Sequence, residues 1–285
     1  MIVFYTSATA HLAPLLPFER GEYICKKFTD GELYIKLETA VTNKKVWVIA
    51  ATNPPADHLI ELFLLLDVLT RNKAKIHLLI TYLGYTRQDN PLPAEASSAQ
   101  LICSMLNLFA LQKIVIIHAH STRLHDFLTF ENVIPVELIC NVAQHYNAIA
   151  APDQGAADNV QHIGSVCNLE TVFLTKIRPE QEIVKILEYN GIVRSKKILI
   201  IDDIIATGNT VIEVAKILEK LGATHVSAWA THGVFSGNAI ESLEKSSIKK
   251  VYVTNTLGQH KSSAKIEVIT IAPLVEKIIK KHAGI

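Results

Sequence analysis

The chain has 285 residues, enough for one large domain or two of ordinary size, and 49% of them are hydrophobic, ample for two buried cores. Its 28 basic and 27 acidic side chains leave a net charge of +1, which excludes a broad field for holding nucleic acid or an anionic membrane; any anionic ligand must be captured locally. Cys25, Cys103, Cys140 and Cys167 are widely spaced and form no CxxC pair, so the spacing argues against zinc or dithiol chemistry and predicts reduced thiols in a cytoplasmic chain. The first residues, MIVFYTSATAHLAPLL, lack the basic segment that precedes the apolar part of a secretory signal. The densest apolar run, LIELFLLLDVL, is interrupted by Glu61 and Asp67 and is too short to span a bilayer, so it reads as a buried helix.

Along the chain, short Val- and Ile-rich runs alternate with stretches of helical period, the pattern of a parallel sheet covered on both faces. Strands are predicted at 45–51, 75–83 and 113–120, with helices at about 56–72 and 95–110 between them. The region around Pro135, about 134–146, reads as the crossing between two halves. The scheme then repeats, with strands at 147–153, 171–176, 196–203, 225–233 and 249–255. Helices follow at about 155–166, 209–221, 237–246 and 273–282, the second stopped by Gly222. Residues 182–191 read as a short helix ended by Asn190-Gly191 or as a strand turning into a hairpin, and the hairpin is preferred. The expectation is an α/β fold of two similar domains, 1–140 and 141–285, each a largely parallel sheet flanked by helices.

The strongest chemical signal is KKILIIDDIIATGNT, where a buried strand ends at Asp202-Asp203 and Ala206, Thr207, Gly208, Asn209 and Thr210 lead into a helix. Ligands of open α/β sheets bind at the carboxyl ends of strands, and a helix start offers free N–H groups and a favourable dipole to phosphate. Thr207 and Thr210 add hydroxyl donors, Gly208 permits close approach, and Asn209 tolerates a left-handed backbone. Two acids beside an anion site suit a phosphorylated pentose, whose vicinal hydroxyls donate to carboxylates. The plainer alternative is that Asp202 and Asp203 cap the next helix.

This loop resembles that of type I phosphoribosyltransferase folds, and the wider sequence resembles the ribose-phosphate diphosphokinase family over almost its whole length. The matching segments are FTDGELYIKL at 28–37, YLGYTRQD at 82–89, the histidine segment at 118–128, APDQG at 151–155, LTKIRP at 174–179 and ATHGVFSGNAIESL at 230–243. The resemblance implies two phosphoribosyltransferase-like domains and transfer of the β,γ-diphosphate of ATP to the anomeric hydroxyl of ribose 5-phosphate, with Mg2+ required. It assigns Phe28, Asp30 and Glu32 to a nucleotide loop, Arg87, Gln88 and Asp89 to further ATP contacts, and His120 and Asp153 to magnesium-linked positions on one sheet edge. Lys176 and Arg178 become the catalytic basic pair, Asp202, Asp203 and 206–210 the ribose 5-phosphate loop, and Pro179 with the segment after it a mobile flap. It further implies at least a homodimer.

Taken without the resemblance, Phe28 could sit in a core beside an ordinary Asp-Gly turn, Arg87 could pair with Asp89 on the surface, and Lys176 and Arg178 could form a solvated face. His118 and His125 read as core or surface histidines. The chain departs from the family pattern at Ala206, where most members carry an acid, at Asn209 in place of Gly, at His118 in place of Asp or Asn, and at Asn90-Pro91-Leu92 in place of basic residues. Two competing functions remain: a phosphoribosyltransferase that consumes the activated sugar, and an inactive homologue acting as a regulatory subunit.

Overall fold

A computed structural model describes residues 1–177, 185–258 and 263–284. It resolves into two compact units, one of Met1–Ile134 with Thr256–Gly258 and Ile271–Ile285, the other of Pro135–Asn255 with the described part of Gln259–Thr270.

In the first unit the elements are β1 (Ile2–Tyr5), β2 (Glu19–Arg20), β3 (Tyr23–Lys27), β4 (Leu33–Leu37), β5 (Lys45–Ala51), α1 (Asp57–Arg71), β6 (Lys75–Tyr82), α2 (Ser98–Leu106), β7 (Lys113–Ile117) and β8 (Glu131–Val133). Six strands form a parallel sheet ordered β2-β1-β5-β6-β7-β8, while β3 and β4 make a separate antiparallel hairpin. Val46 to Ala51 are fully buried without alternation, as a strand covered on both faces requires. Helix α1 buries Leu59, Leu62, Leu65, Leu66 and Leu69, one stripe of helical period, which explains why so apolar a run is a core helix.

The second unit contains α3 (Val136–Ala143), β9 (Ala148–Ala151), α4 (Ala157–Cys167), β10 (Glu170–Ile177), β11 (Lys185–Asn190), β12 (Lys197–Ile205), α5 (Asn209–Lys220), β13 (His225–Gly233), α6 (Ala239–Lys245), β14 (Val251–Thr254) and β15 (Ile266–Ile269). Its sheet runs β11-β10-β9-β12-β13-β14-β15, parallel except for the antiparallel β10–β11 pair. The strand reading of 182–191 therefore holds for Lys185–Asn190, while the intervening residues lie outside those described. Gly222, at φ +94°, follows the end of α5 and donates to the Glu219 carbonyl.

Several expectations are corrected. The crossing region 134–146 contains a helix, α3, whose Ile139, Val142 and Ala143 are buried. Cys140 on α3 and Cys167 at the end of α4 are joined by a disulfide with Cα atoms 5.3 Å apart, so the four thiols are not all reduced; Cys25 and Cys103 are free. Their separation of 27 residues conceals a proximity that only helix packing creates. The chain divides at 134/135 in place of the anticipated 140/141, and its terminal helix α7 (Ala272–Ala283) belongs to the first unit. No helix among the described residues is long and apolar enough to cross a membrane.

Helix α7 buries Ala272, Val275, Ile278 and Ile279, and an ionic cluster around the partly buried Glu131 adds to its attachment, the carboxylate lying 2.8 Å from Lys113, 2.8 Å from Lys281 and 2.9 Å from His282. Hydrogen bonds from Lys113 and then Lys281 hold the Glu131 carboxyl down from 4.5 to about 2. A carboxylate depressed in this way contributes stability that is complete above its unfolded value and is lost as pH falls through the folded one. Glu131→Gln is expected to lower the melting temperature near neutrality, with the gap from wild type closing between pH 4.5 and about 2. Melting curves across that range check it; a gap independent of pH would contradict it.

Candidate active site

Strand register places the anticipated residues of the second unit along one edge. Ala150 of β9 pairs with Ile200 of β12, so Asp153 and Asp203, each three residues further on, arrive level at the carboxyl end of the sheet. On the other side, Phe173 of β10 pairs with Ala151, and Lys176 lies three residues beyond, at the same edge. The backbone of β10 bulges between Thr175 and Lys176. Arg178 and Pro179 lie outside the described residues.

Asp202 and Asp203 sit within β12, which continues to Ile205, and do not end the strand as the sequence reading has it. The capping alternative fails for the same reason, since the residue preceding α5 is Gly208 and no side chain caps the helix. Gly208, at φ +80°, supplies the left-handed turn, and Asn209 is already helical. A Cβ at Gly208 would also lie 3.3 Å from Leu243 Cγ of α6, so the position is constrained by both dihedral and space. The first N–H groups of α5 have no intrahelical acceptors, which leaves them facing the edge as donors.

The neighbouring segment braces this loop. The N–H groups of Val234 and Phe235 donate to the Ile205 carbonyl at 3.0 and 3.2 Å, and that of Ser236 to the Ala206 carbonyl at 2.9 Å. Phe235 holds a positive φ of 47° there. In the sequence, 230–243 carries only a family motif; its structural role depends on the Ser236-Gly237 turn after β13.

Electrostatically the edge is crowded with carboxyl groups. Burial pushes the Asp202 carboxyl well above the usual carboxylate range, and the charge and hydrogen bond of Asp203, then the charge of Asp153, push it further. Asp153 itself is exposed, and its Oδ1 accepts from the Ala156 N–H at 3.2 Å. Such crowding favours a ligand that donates hydroxyls to the carboxylates or brings a cation to them.

In the first unit, Arg87, Gln88 and Asp89 follow β6 and His120 follows the adjacent β7, both at the carboxyl edge of that sheet. Gly84 is needed where β6 ends, because a Cβ would lie 2.4 Å from the Thr52 carbonyl oxygen. Arg87 is exposed and, among the described residues, makes no ion pair, so the surface pairing with Asp89 is absent. His118 is buried at 2% exposure with φ +46°, and His125 stacks on Phe130 at 4.1 Å. His120 and Asp153 do not share a sheet edge: the chain leaves the first sheet at β8 before β9 opens the second. Among the described residues no three His, Cys, Asp or Glu side chains gather as a ready-made metal site.

The hairpin β3–β4 carries Phe28, Asp30 and Glu32 at its turn. Phe28 is 49% exposed, which rules out a core role, and its ring meets the edge of Tyr34 at 5.7 Å. The Phe28 N–H donates to the Glu32 carbonyl at 2.8 Å, and the Asp30 carboxylate accepts from the Glu32 N–H at 3.1 Å. Tyr34 was not anticipated; the alternation of Leu33 to Leu37 could have signalled it.

The fold and its acid-lined, helix-started edge define an α/β enzyme of the phosphoribosyl type. Residues 5–109 match the family model of the N-terminal domain of ribose phosphate pyrophosphokinase, and 153–284 match that of the phosphoribosyl synthetase-associated domain. The ribose-phosphate pyrophosphokinase of Aquifex aeolicus is 32% identical over 95% of this chain and 90% of its own length. That of Wolinella succinogenes is 31% identical over 90% and 85%. In fold, the chain is similar to the phosphoribosylpyrophosphate synthetase of Mycobacterium smegmatis, with a TM-score of 0.89 over 99% of this chain and 98% of that one at 24% identity. The chain belongs to the ribose-phosphate pyrophosphokinase family.

The raised Asp202 carboxyl generates a prediction. A carboxyl whose folded value is raised weakens the fold progressively as pH rises above its ordinary 3.8, because ionisation becomes harder in the native state. Asp202→Asn is expected to melt higher than wild type at neutral pH without ligand, the advantage growing with pH, while its affinity for ribose 5-phosphate falls about tenfold or more. Parallel melting and calorimetry measure both; an Asn variant less stable at neutral pH would refute the account of Asp202.

Proposed function

We propose that this chain transfers the β,γ-diphosphate of ATP to the anomeric hydroxyl of ribose 5-phosphate, giving 5-phosphoribosyl 1-diphosphate and AMP. The observation that carries the reading is the single edge shared by Asp153, Lys176, Asp202-Asp203 and the start of α5. On it, the N–H groups and hydroxyls of Thr207 to Thr210 hold the 5-phosphate, and the two aspartates accept from the ring hydroxyls. Ala206 contributes only backbone where most members of the family carry an acid. The anomeric hydroxyl gives up its proton to solvent as its oxygen bonds to the β-phosphorus, the bond from that phosphorus to the α,β-bridging oxygen breaks, and AMP leaves with the negative charge. Lys176 and Arg178 neutralise that charge, as suits a transfer governed by fixed cations.

Phe28 stacks on adenine and Asp30 and Glu32 accept from its amino group, with Arg87, Gln88 and Asp89 as further nucleotide contacts. Mg2+ is the metal of this reading, and when bound it screens the phosphate charges. The oxygen donors of Asp153 fit that hard cation directly or through water, and His120 fits it through water. We further propose at least a homodimer, following the family resemblance, and a cytoplasmic location. The Cys140–Cys167 bond weighs against that location, since reducing compartments keep most thiols unpaired.

An assay of AMP release from ATP and ribose 5-phosphate, with no nucleobase present, separates this activity from that of a phosphoribosyltransferase and from an inactive homologue. Lys176→Ala is expected to lower turnover roughly 100- to 1,000-fold while leaving ribose 5-phosphate binding nearly unchanged. Turnover equal to wild type in that variant would remove Lys176 from the mechanism.

A further inference from the structure

The first unit buries a carboxylate that the proposed chemistry does not use. Glu61 of α1 is 2% exposed, among Leu62, Leu65 and Leu66, and makes no ion pair among the described residues. Its oxygens instead gather donors from two other segments. The Ser7 N–H reaches both, at 3.0 and 3.2 Å, and the Ser7 hydroxyl donates as well. The Tyr23 hydroxyl donates to the carboxylate from 2.7 Å. A buried carboxyl group without a cation beside it relies on such donors staying in place.

The spacing of these partners is ordered. Tyr23, Cys25 and Lys27 share one face of β3 by the strand period of two, and Asp57 and Glu61 share one face of α1 by the helical step of four. Lys27 pairs with Asp57, but both side chains are about half exposed, and such a pair contributes little. The buried Glu61 contacts are therefore the stronger tether. They matter because β3 and β4 pair only with each other and join neither main sheet. No ladder of backbone hydrogen bonds fixes the hairpin's posture; the Tyr23 hydroxyl does so, held by the Glu61 carboxylate and, at 3.0 Å, by the Tyr5 carbonyl of β1, with apolar help from Tyr23, Ile35 and Leu37 against the core.

We infer that Glu61 is a positioning residue for nucleotide binding, holding the β3–β4 hairpin so that Phe28, Asp30 and Glu32 meet the base in one fixed geometry. The inference rests on the reading of residues 28–32 as the nucleotide loop. The test uses the full-length protein and four variants: Tyr23→Phe, Glu61→Gln, Glu61→Leu and, as a control on that reading, Phe28→Ala. Steady-state kinetics give KM for each substrate and kcat, and hydrogen exchange reports on amides 23–37.

Tyr23→Phe and Glu61→Gln should raise the KM for ATP about fivefold, leave the KM for ribose 5-phosphate and kcat within about twofold, and speed exchange across 23–37. Glu61→Leu strands the same donors and should be worse than Glu61→Gln in every respect; if it does not fold, Tyr23→Phe, which removes a single hydroxyl, decides the matter. Unchanged exchange across 23–37 in Tyr23→Phe, or equal rises in both KM values, would overturn the positioning role. If Phe28→Ala raises the KM for ATP and Tyr23→Phe does not, the inference fails while the loop reading stands. If Phe28→Ala leaves it unchanged, the loop reading itself fails.

Discussion

The second unit is organised around a repulsion. Two adjacent aspartates end up near the carboxyl end of a buried strand, with a third carboxylate delivered level with them by the neighbouring strand, and Asp202 cannot ionise there at ordinary cost. Natural chains tolerate such strain where a ligand relieves it. The relief has to come from groups that donate hydrogen bonds or carry positive charge, and it has to come beside the first N–H groups of α5, which donate to the opposite kind of partner. A phosphorylated sugar supplies both ends: hydroxyls for the acids and an anion for the helix start. Under the proposed reading the rest of that edge serves this arrangement, from the bracing carbonyl contacts of Val234 to Ser236 to the left-handed Gly208.

The first unit solves a different problem, that of presenting an aromatic ring and two acids on a hairpin that belongs to no larger sheet. Its core is a parallel sheet under α1, and the hairpin is fastened to that helix by polar contacts concentrated on one buried carboxylate. The unit also takes back the end of the chain: α7 is held through Glu131, Lys281 and His282, with Lys45 donating to the His282 carbonyl. Chain order and unit membership therefore diverge.

Much of this was legible in the sequence because parallel strands buried on both faces read as unbroken apolar runs. Lys45–Ala51 and His225–Gly233 appear where those runs stand, and α1 and α5 follow their helical stripes. The start of α5 at Asn209 was legible from the Thr-Gly-Asn-Thr turn, whereas the end of β12 was not, because the strand runs past Asp202-Asp203 to Ile205. What the sequence withheld depends on tertiary contact. The α3 helix of eight residues was hidden by Pro135, which reads as a break yet here stands just before the first turn. The Cys140–Cys167 bond, the return of α7 and the assignment of His120 and Asp153 to different sheets all depend on pairings between distant segments. Glu61 was read only as an interruption of an apolar run, because its donors at Ser7 and Tyr23 are 54 and 38 residues away.

The claim that everything else depends on is that ribose 5-phosphate, by donating to the raised Asp202 carboxyl, favours its ionised form and so exchanges protons on binding. Titration calorimetry of ribose 5-phosphate, run in two buffers of different ionisation heat with wild type and Asp202→Asn, measures that exchange directly. The account predicts uptake by wild type with net release of protons to the buffer, a release that shrinks in the Asn variant. No uptake of the pentose phosphate, with or without a divalent metal, or uptake with the same proton release in both proteins, would contradict it.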